Sequence, residues 1–65
     1  MIHEYIATFK ITETIEIDDE QVAEYFHIVP EEVIEDQRIE FVKVIIDSDG
    51  YTCNLSNLME LTNIK

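Results

Sequence analysis

The chain has 65 residues and a formal net charge of −11 at pH 7, with 15 Asp and Glu against four Lys and Arg. A body of this size has room for one domain and hides only about 60% of the surface its unfolded chain exposes, which argues against a deep catalytic cleft. So strong an anionic balance repels nucleic acid and anionic lipid, while a 46% apolar fraction with one Gly and one Pro marks a folded domain rather than a disordered one.

The first segment alternates. His3, Tyr5, Ala7, Phe9, Ile11, Ile15 and Ile17 share one parity, and Glu4, Thr8, Lys10, Thr12, Thr14 and Glu16 share the other. This is the period of a strand with one buried face, so residues 2–17 read as one long strand or two. Glu13 breaks the apolar parity and predicts a bend or bulge at residues 12–14.

A helix is predicted next. Asp18 stands three residues before Gln21 in a variant of the capping box, and Asp19 and Glu20 place negative charge at the positive end of the helix dipole. Val22, Tyr25, Phe26 and Val29 recur at helical spacing, and Pro30 is expected to end the helix and open a second, short one over residues 30–36, anchored by Val33 and Ile34.

Residues 38–47 carry Ile, Val and Phe on both parities and read as a strand covered on both faces. Asp47, Ser48, Asp49 and Gly50 supply turn chemistry, and Tyr51, Cys53 and Leu55 alternate with Thr52, Asn54 and Ser56 in a return strand. Residues 56–64 fit either a short helix capped by Ser56 or an edge strand, with the helix favoured. The expected fold is α+β: an antiparallel sheet of about three strands, with a two-helix segment between strand 1 and a C-terminal hairpin. No repeat or linker divides residues 1–65.

Between Thr12 and Gln37 stand Glu13, Glu16, Asp18, Asp19, Glu20, Glu24, Glu31, Glu32, Glu35 and Asp36, with no Lys or Arg among them. These ten form the candidate partner-binding set, and the partner they imply is a basic protein surface. Catalysis finds little support. The 47–50 segment lacks the Glu of a calcium loop, His3 and His27 have no partner at metal-ligand spacing, and Cys53 falls on an apolar strand parity where a structural thiol is expected. No enzyme activity and no cofactor or metal are therefore expected. The lone Cys53 suits a reducing compartment, and no stretch nears the roughly 20 apolar residues that cross a bilayer, so a cytoplasmic protein is expected.

Residues 22–34 resemble a helix-turn-helix unit: Ala23 stands at the small packing position, Ile28 at the aliphatic turn position and Val33 at the anchor of the second helix. His27 departs from the Gly that the turn usually favours. The larger departure is electrostatic, because Glu31, Glu32, Glu35 and Asp36 stand where DNA-reading versions present polar or basic groups, and phosphate would oppose them. Direct nucleic-acid binding is not expected. In size, charge and single reduced Cys the chain is similar to the small acidic DNA-mimic proteins with which bacteriophages block host DNA-binding proteins. That resemblance implies an inhibitor acting in the bacterial host cytoplasm. It would occupy the Lys/Arg surface of a nucleic-acid-binding protein, with a nucleoid protein such as HU favoured, and compete with DNA.

A second reading is a small interaction or assembly module, or a transcription accessory factor, that meets its partner through the apolar face of the 38–47 strand. Phe41, Val42, Val44 and Ile46 would then serve in self-association, and a homodimer would hide the strand's second face.

Overall fold

The computed structural model describes residues 1–49 and 54–64. The alternating segment forms β1 (Ile2–Thr8) and β2 (Thr12–Asp18), an antiparallel pair in register from Ile2 opposite Asp18 to Thr8 opposite Thr12. The chain reverses at residues 9–11, where the Phe9 N–H donates to the Ile11 carbonyl at 2.8 Å. The expected bend at residues 12–14 is therefore corrected: Thr12, Glu13 and Thr14 pair regularly, and the break lies ahead of them. Because the turn comes there, Phe9 is buried whereas Ile11 is exposed.

Asp18 then caps α1 (Asp19–Phe26). Its Oδ1 accepts the Glu20 N–H at 3.0 Å, and Gln21 Oε1 accepts the Asp18 N–H at 3.0 Å, completing the capping box that the sequence predicts. The helix ends at Phe26, four residues before Pro30, and its C-cap His27 is left-handed, with φ of 59° and ψ of 43°. The His27 N–H donates back to the Ala23 and Glu24 carbonyls, and the Ile28 N–H to Ala23 at 2.9 Å, so the last carbonyls are satisfied in the manner of a glycine-capped helix.

The expected second helix at residues 30–36 is a single turn of 3-10 helix, Pro30–Glu32, followed by extended backbone. The connection from Phe26 to Glu35 is thus longer than the 3–4 residues of a helix-turn-helix. The true second helix is α2 (Glu35–Asp49). It replaces the predicted strand over residues 38–47, and with it the C-terminal hairpin. Residues 47–49, expected in its turn, are the last of α2. Of the expected return strand, residues 51–53 lie outside the described residues, as does Gly50; Leu55–Asn57 form a 3-10 turn. The physical reason is coverage: the inner face of the sheet needs a lid, and as a helix residues 38–47 put Val42 and Ile46 against it.

The chain closes with β3 (Glu60–Asn63), so the edge-strand alternative for residues 56–64 is the one adopted. It pairs antiparallel with β1, placing Leu61 opposite Ala7 and Asn63 opposite Tyr5, and gives the order β2-β1-β3. The domain is therefore α+β, a three-stranded antiparallel sheet with two helices inserted ahead of the C-terminal strand. Tyr5, Ala7, Phe9 and Ile17 from the sheet meet Val22, Ala23, Val33, Val42 and Ile46 from the helical side, and all nine are buried.

For a chain of this length total stability is about 3–10 kcal/mol. Ile46→Ala removes a buried side chain and is expected to cost about 2–5 kcal/mol. Thermal melts followed by far-ultraviolet dichroism should show a large fall in Tm, whereas Ser48→Ala on the exposed side of α2 should leave it within a few degrees.

Candidate functional site

The ten carboxylates separate into two groups. Glu13 and Glu16 on β2, Glu20 and Glu24 on α1, Glu31 and Glu32 on the 3-10 turn and Asp36 at the start of α2 are exposed. Asp18, Asp19 and Glu35 are tied into the fold. Asp18 caps α1 and also accepts from the N-terminal ammonium at 3.3 Å; the Glu20 N–H, then that ammonium, hold its carboxyl below the usual range.

Asp19 is buried at the start of α1 and receives both prongs of the Arg38 guanidinium, Nε at 2.8 Å to Oδ1 and Nη2 at 3.2 Å to Oδ2. His3 Nε2 lies 3.2 Å from the same Oδ1, so the contact is favourable whenever Nε2 carries its proton. The Arg38 hydrogen bonds depress the Asp19 pKa against the opposing effect of burial, and Asp19 in turn raises that of Arg38.

Glu35 joins the same network from the other side. Its Oε1 accepts the Tyr5 hydroxyl at 2.9 Å and Arg38 Nη1 at 3.4 Å, and its Oε2 accepts Asn63 Nδ2 at 3.2 Å. Burial pushes Glu35 upward, but donors from Tyr5, Asn63 and Arg38 outweigh it and leave the carboxyl below its ordinary value. Burial, then the bond to Glu35, lifts the Tyr5 phenol well above the usual tyrosine range. No feature of the sequence separates Asp19 and Glu35 from their neighbours, because their partners lie 19 and 30 residues away.

Among the described residues three further carboxylates are exposed: Glu40 and Asp47 on α2 and Glu60 on β3. In α2, Asp36, Glu40 and Asp47 recur at i, i+4 and i+11 and are all exposed, with half-buried Lys43 in the same stripe. That spacing was readable in the sequence and is helical. Glu16, Asp18 and Glu20 come together around a shallow hollow of about 410 Å3 with Ile2, Ile17 and Gln21. At the far end of the hairpin, Phe9, Lys10, Ile11, Asn57 and Met59 line an open cleft of about 620 Å3. Among the described residues its lining is apolar apart from Lys10 and Asn57, with no His or carboxylate to form an acid–base pair. Among the described residues no group of three or more His, Cys, Asp or Glu is placed to hold a metal, and no helix is long and apolar enough to cross a membrane.

The expected self-association set is corrected. Val42 and Ile46 are buried in the core and cannot meet a second copy in this fold, and Phe41 and Val44 lie half-buried on α2 rather than on a strand face. The premise of the homodimer, a strand needing cover on both sides, goes with them.

The network generates a pH prediction. Groups whose folded pKa is depressed contribute stability that is complete above their unfolded values, about 3.9 for Asp and 4.3 for Glu, and is lost as pH falls through the folded values. Protonation of exposed carboxylates acts oppositely, by relieving repulsion. Tm should hold or rise from neutrality to about pH 5 and fall below about pH 4. Arg38→Met leaves two carboxylates without their cation and should cost about 3 kcal/mol at pH 7, a gap that narrows in acid; denaturant titrations across pH measure both.

No protein-family model matches this chain, nor does any curated protein or solved structure at the threshold of significance.

Proposed function

We propose that this chain is a binding protein rather than an enzyme, a DNA mimic of the phage type. It occupies the basic surface of a nucleic-acid-binding protein in the host cytoplasm, a nucleoid protein such as HU being favoured, and competes there with DNA. The observation that carries the reading is the uneven disposition of charge. Arg38, one of only four Lys and Arg, pairs inside the fold, while seven carboxylates of the acidic run are exposed together with Glu40 and Asp47.

Magnitude supports it. The protein measures 35 Å along its longest axis, so eleven excess negative charges average about one per 3 Å of length. A DNA duplex carries one negative charge per about 1.7 Å of its axis, or about 3.4 Å counting one strand, so the chain carries about the linear charge of one strand. A surface of comparable linear charge attracts a cationic groove at long range, raises the association rate and makes binding strongly dependent on salt. Burial of Asp19 and the internal bonds of Glu35 narrow the contacting set to Glu13, Glu16, Glu20, Glu24, Glu31, Glu32 and Asp36, with Asp18 at its border.

The test is competition. With purified HU and a labelled duplex, the protein should displace DNA, and its affinity should fall at least tenfold between low and physiological salt. Charge reversal at Glu31, Glu32 and Asp36 together should weaken displacement by a further order of magnitude without unfolding the domain. Salt-independent binding, or full displacement by the triple variant, refutes the reading; displacement from another basic DNA-binding protein but not from HU moves the target while keeping the mechanism.

A further inference from the structure

Where α1 meets α2, the Tyr25 ring contacts two others: its centroid lies 5.0 Å from that of Phe26, with planes at 86°, and 5.6 Å from that of Phe41, with planes at 60°. Tyr25 is nevertheless 49% exposed, and Phe26 and Phe41 are only half-buried. Three rings thus open to solvent along the seam between the helices. Helical geometry places acid on both sides of that seam. On α1, Glu24 follows about 100° around the axis from Tyr25, away from the core, and Glu20 lies beside it one turn back. On α2, Asp36, Glu40 and Asp47 form a stripe about 100–140° from Phe41, with the half-buried Lys43 at its far edge. All five carboxylates are exposed. The seam is an aromatic furrow between two acidic ridges.

We propose that this furrow docks an arginine-bearing segment of a partner protein, with a guanidinium laid on the Tyr25 ring and the flanking carboxylates facing its charge. The inference rests on the reading of a basic partner and names where that partner's cation sits. A neutral apolar segment would fill the furrow but leave the ridges uncompensated. A second copy of this chain would bring like-charged ridges together, so charge excludes it. Among cations the rings select further, because a guanidinium is planar and weakly hydrated and stacks on an aromatic face, whereas an ammonium is compact and holds its water. Tyrosine at the centre of such a seam is also, with Trp and Arg, one of the residue types enriched among interface anchors.

Hexa-arginine and hexa-lysine peptides carry equal formal charge and separate this site from bulk attraction. Titrated calorimetrically into the full chain at low salt, hexa-arginine should bind about two- to fivefold more tightly than hexa-lysine. Tyr25→Leu, which keeps apolar bulk and removes the ring, should abolish that preference while leaving the affinity for hexa-lysine unchanged; Tyr25→Phe should retain it. Equal affinities in the wild type, or a preference that survives Tyr25→Leu, overturn the furrow while leaving the electrostatic reading in place. Failure of both peptides to bind at low salt overturns that reading as well.

Discussion

The two-pronged pair between Asp19 and Arg38 sets how the helices lie on the sheet. Hydrophobic burial alone does not. Ile39, Phe41, Val42, Val44, Ile45 and Ile46 spread over more than half the circumference of α2, so the helix could roll about its axis and still bury a comparable apolar area. Arg38 removes that freedom, because its planar fork satisfies Asp19 in only one orientation. From Asp19 the contacts extend to His3 on β1, and through Glu35 to Tyr5 and to Asn63 on β3. One polar network therefore touches the central strand, one edge strand and both helices. In so small a domain, where apolar area is limited, directional bonds of this kind specify a single arrangement that the core by itself would leave loose.

The same network shapes the surface. Arg38 is drawn inward, and the carboxylates that remain outside repel one another. Glu20 and Glu24 are an i,i+4 pair of like charge in α1, and Asp36 and Glu40 another in α2. Each such pair destabilises a helix by a few tenths of a kcal/mol. A surface arranged only for stability would alternate signs at these spacings. Retaining like charge at both, in a domain with little stability to lose, is understandable if the outward field serves recognition.

Much of the fold was legible in the sequence where local chemistry and tertiary demand agree. The alternation through residues 2–17 became a hairpin, and the Asp18 and Gln21 pairing became an actual capping box. Residues 38–47 misled because Ile, Val and Phe favour strands by amounts of only a few tenths of a kcal/mol each, and the need to cover Tyr5, Ala7 and Ile17 is larger. The charges in that segment told the other story: Asp36, Glu40, Lys43 and Asp47 follow a period near 3.6, and no strand places them on one side. The acidity of the site was equally legible, but its division was not. Asp19 and Glu35 are indistinguishable from Glu20 and Asp36 along the chain, and only long-range partners draw them inside.

Charge of one sign attracts any surface of the other and discriminates poorly among them, so an acidic domain that acts on one partner needs a second, short-range element. The seam of Tyr25, Phe26 and Phe41 lies among the carboxylates rather than apart from them. It exists because α1 ends at Phe26, capped by His27, and α2 begins only at Glu35. The long connection lets the two helices lie side by side on the sheet with aromatic residues at their contact. Arg38 fixes the roll of α2, and that roll turns Phe41 toward Tyr25 and Glu40 outward. The interior ion pair thus determines which rings and which carboxylates face outward, so the fold and the proposed recognition depend on the same few bonds.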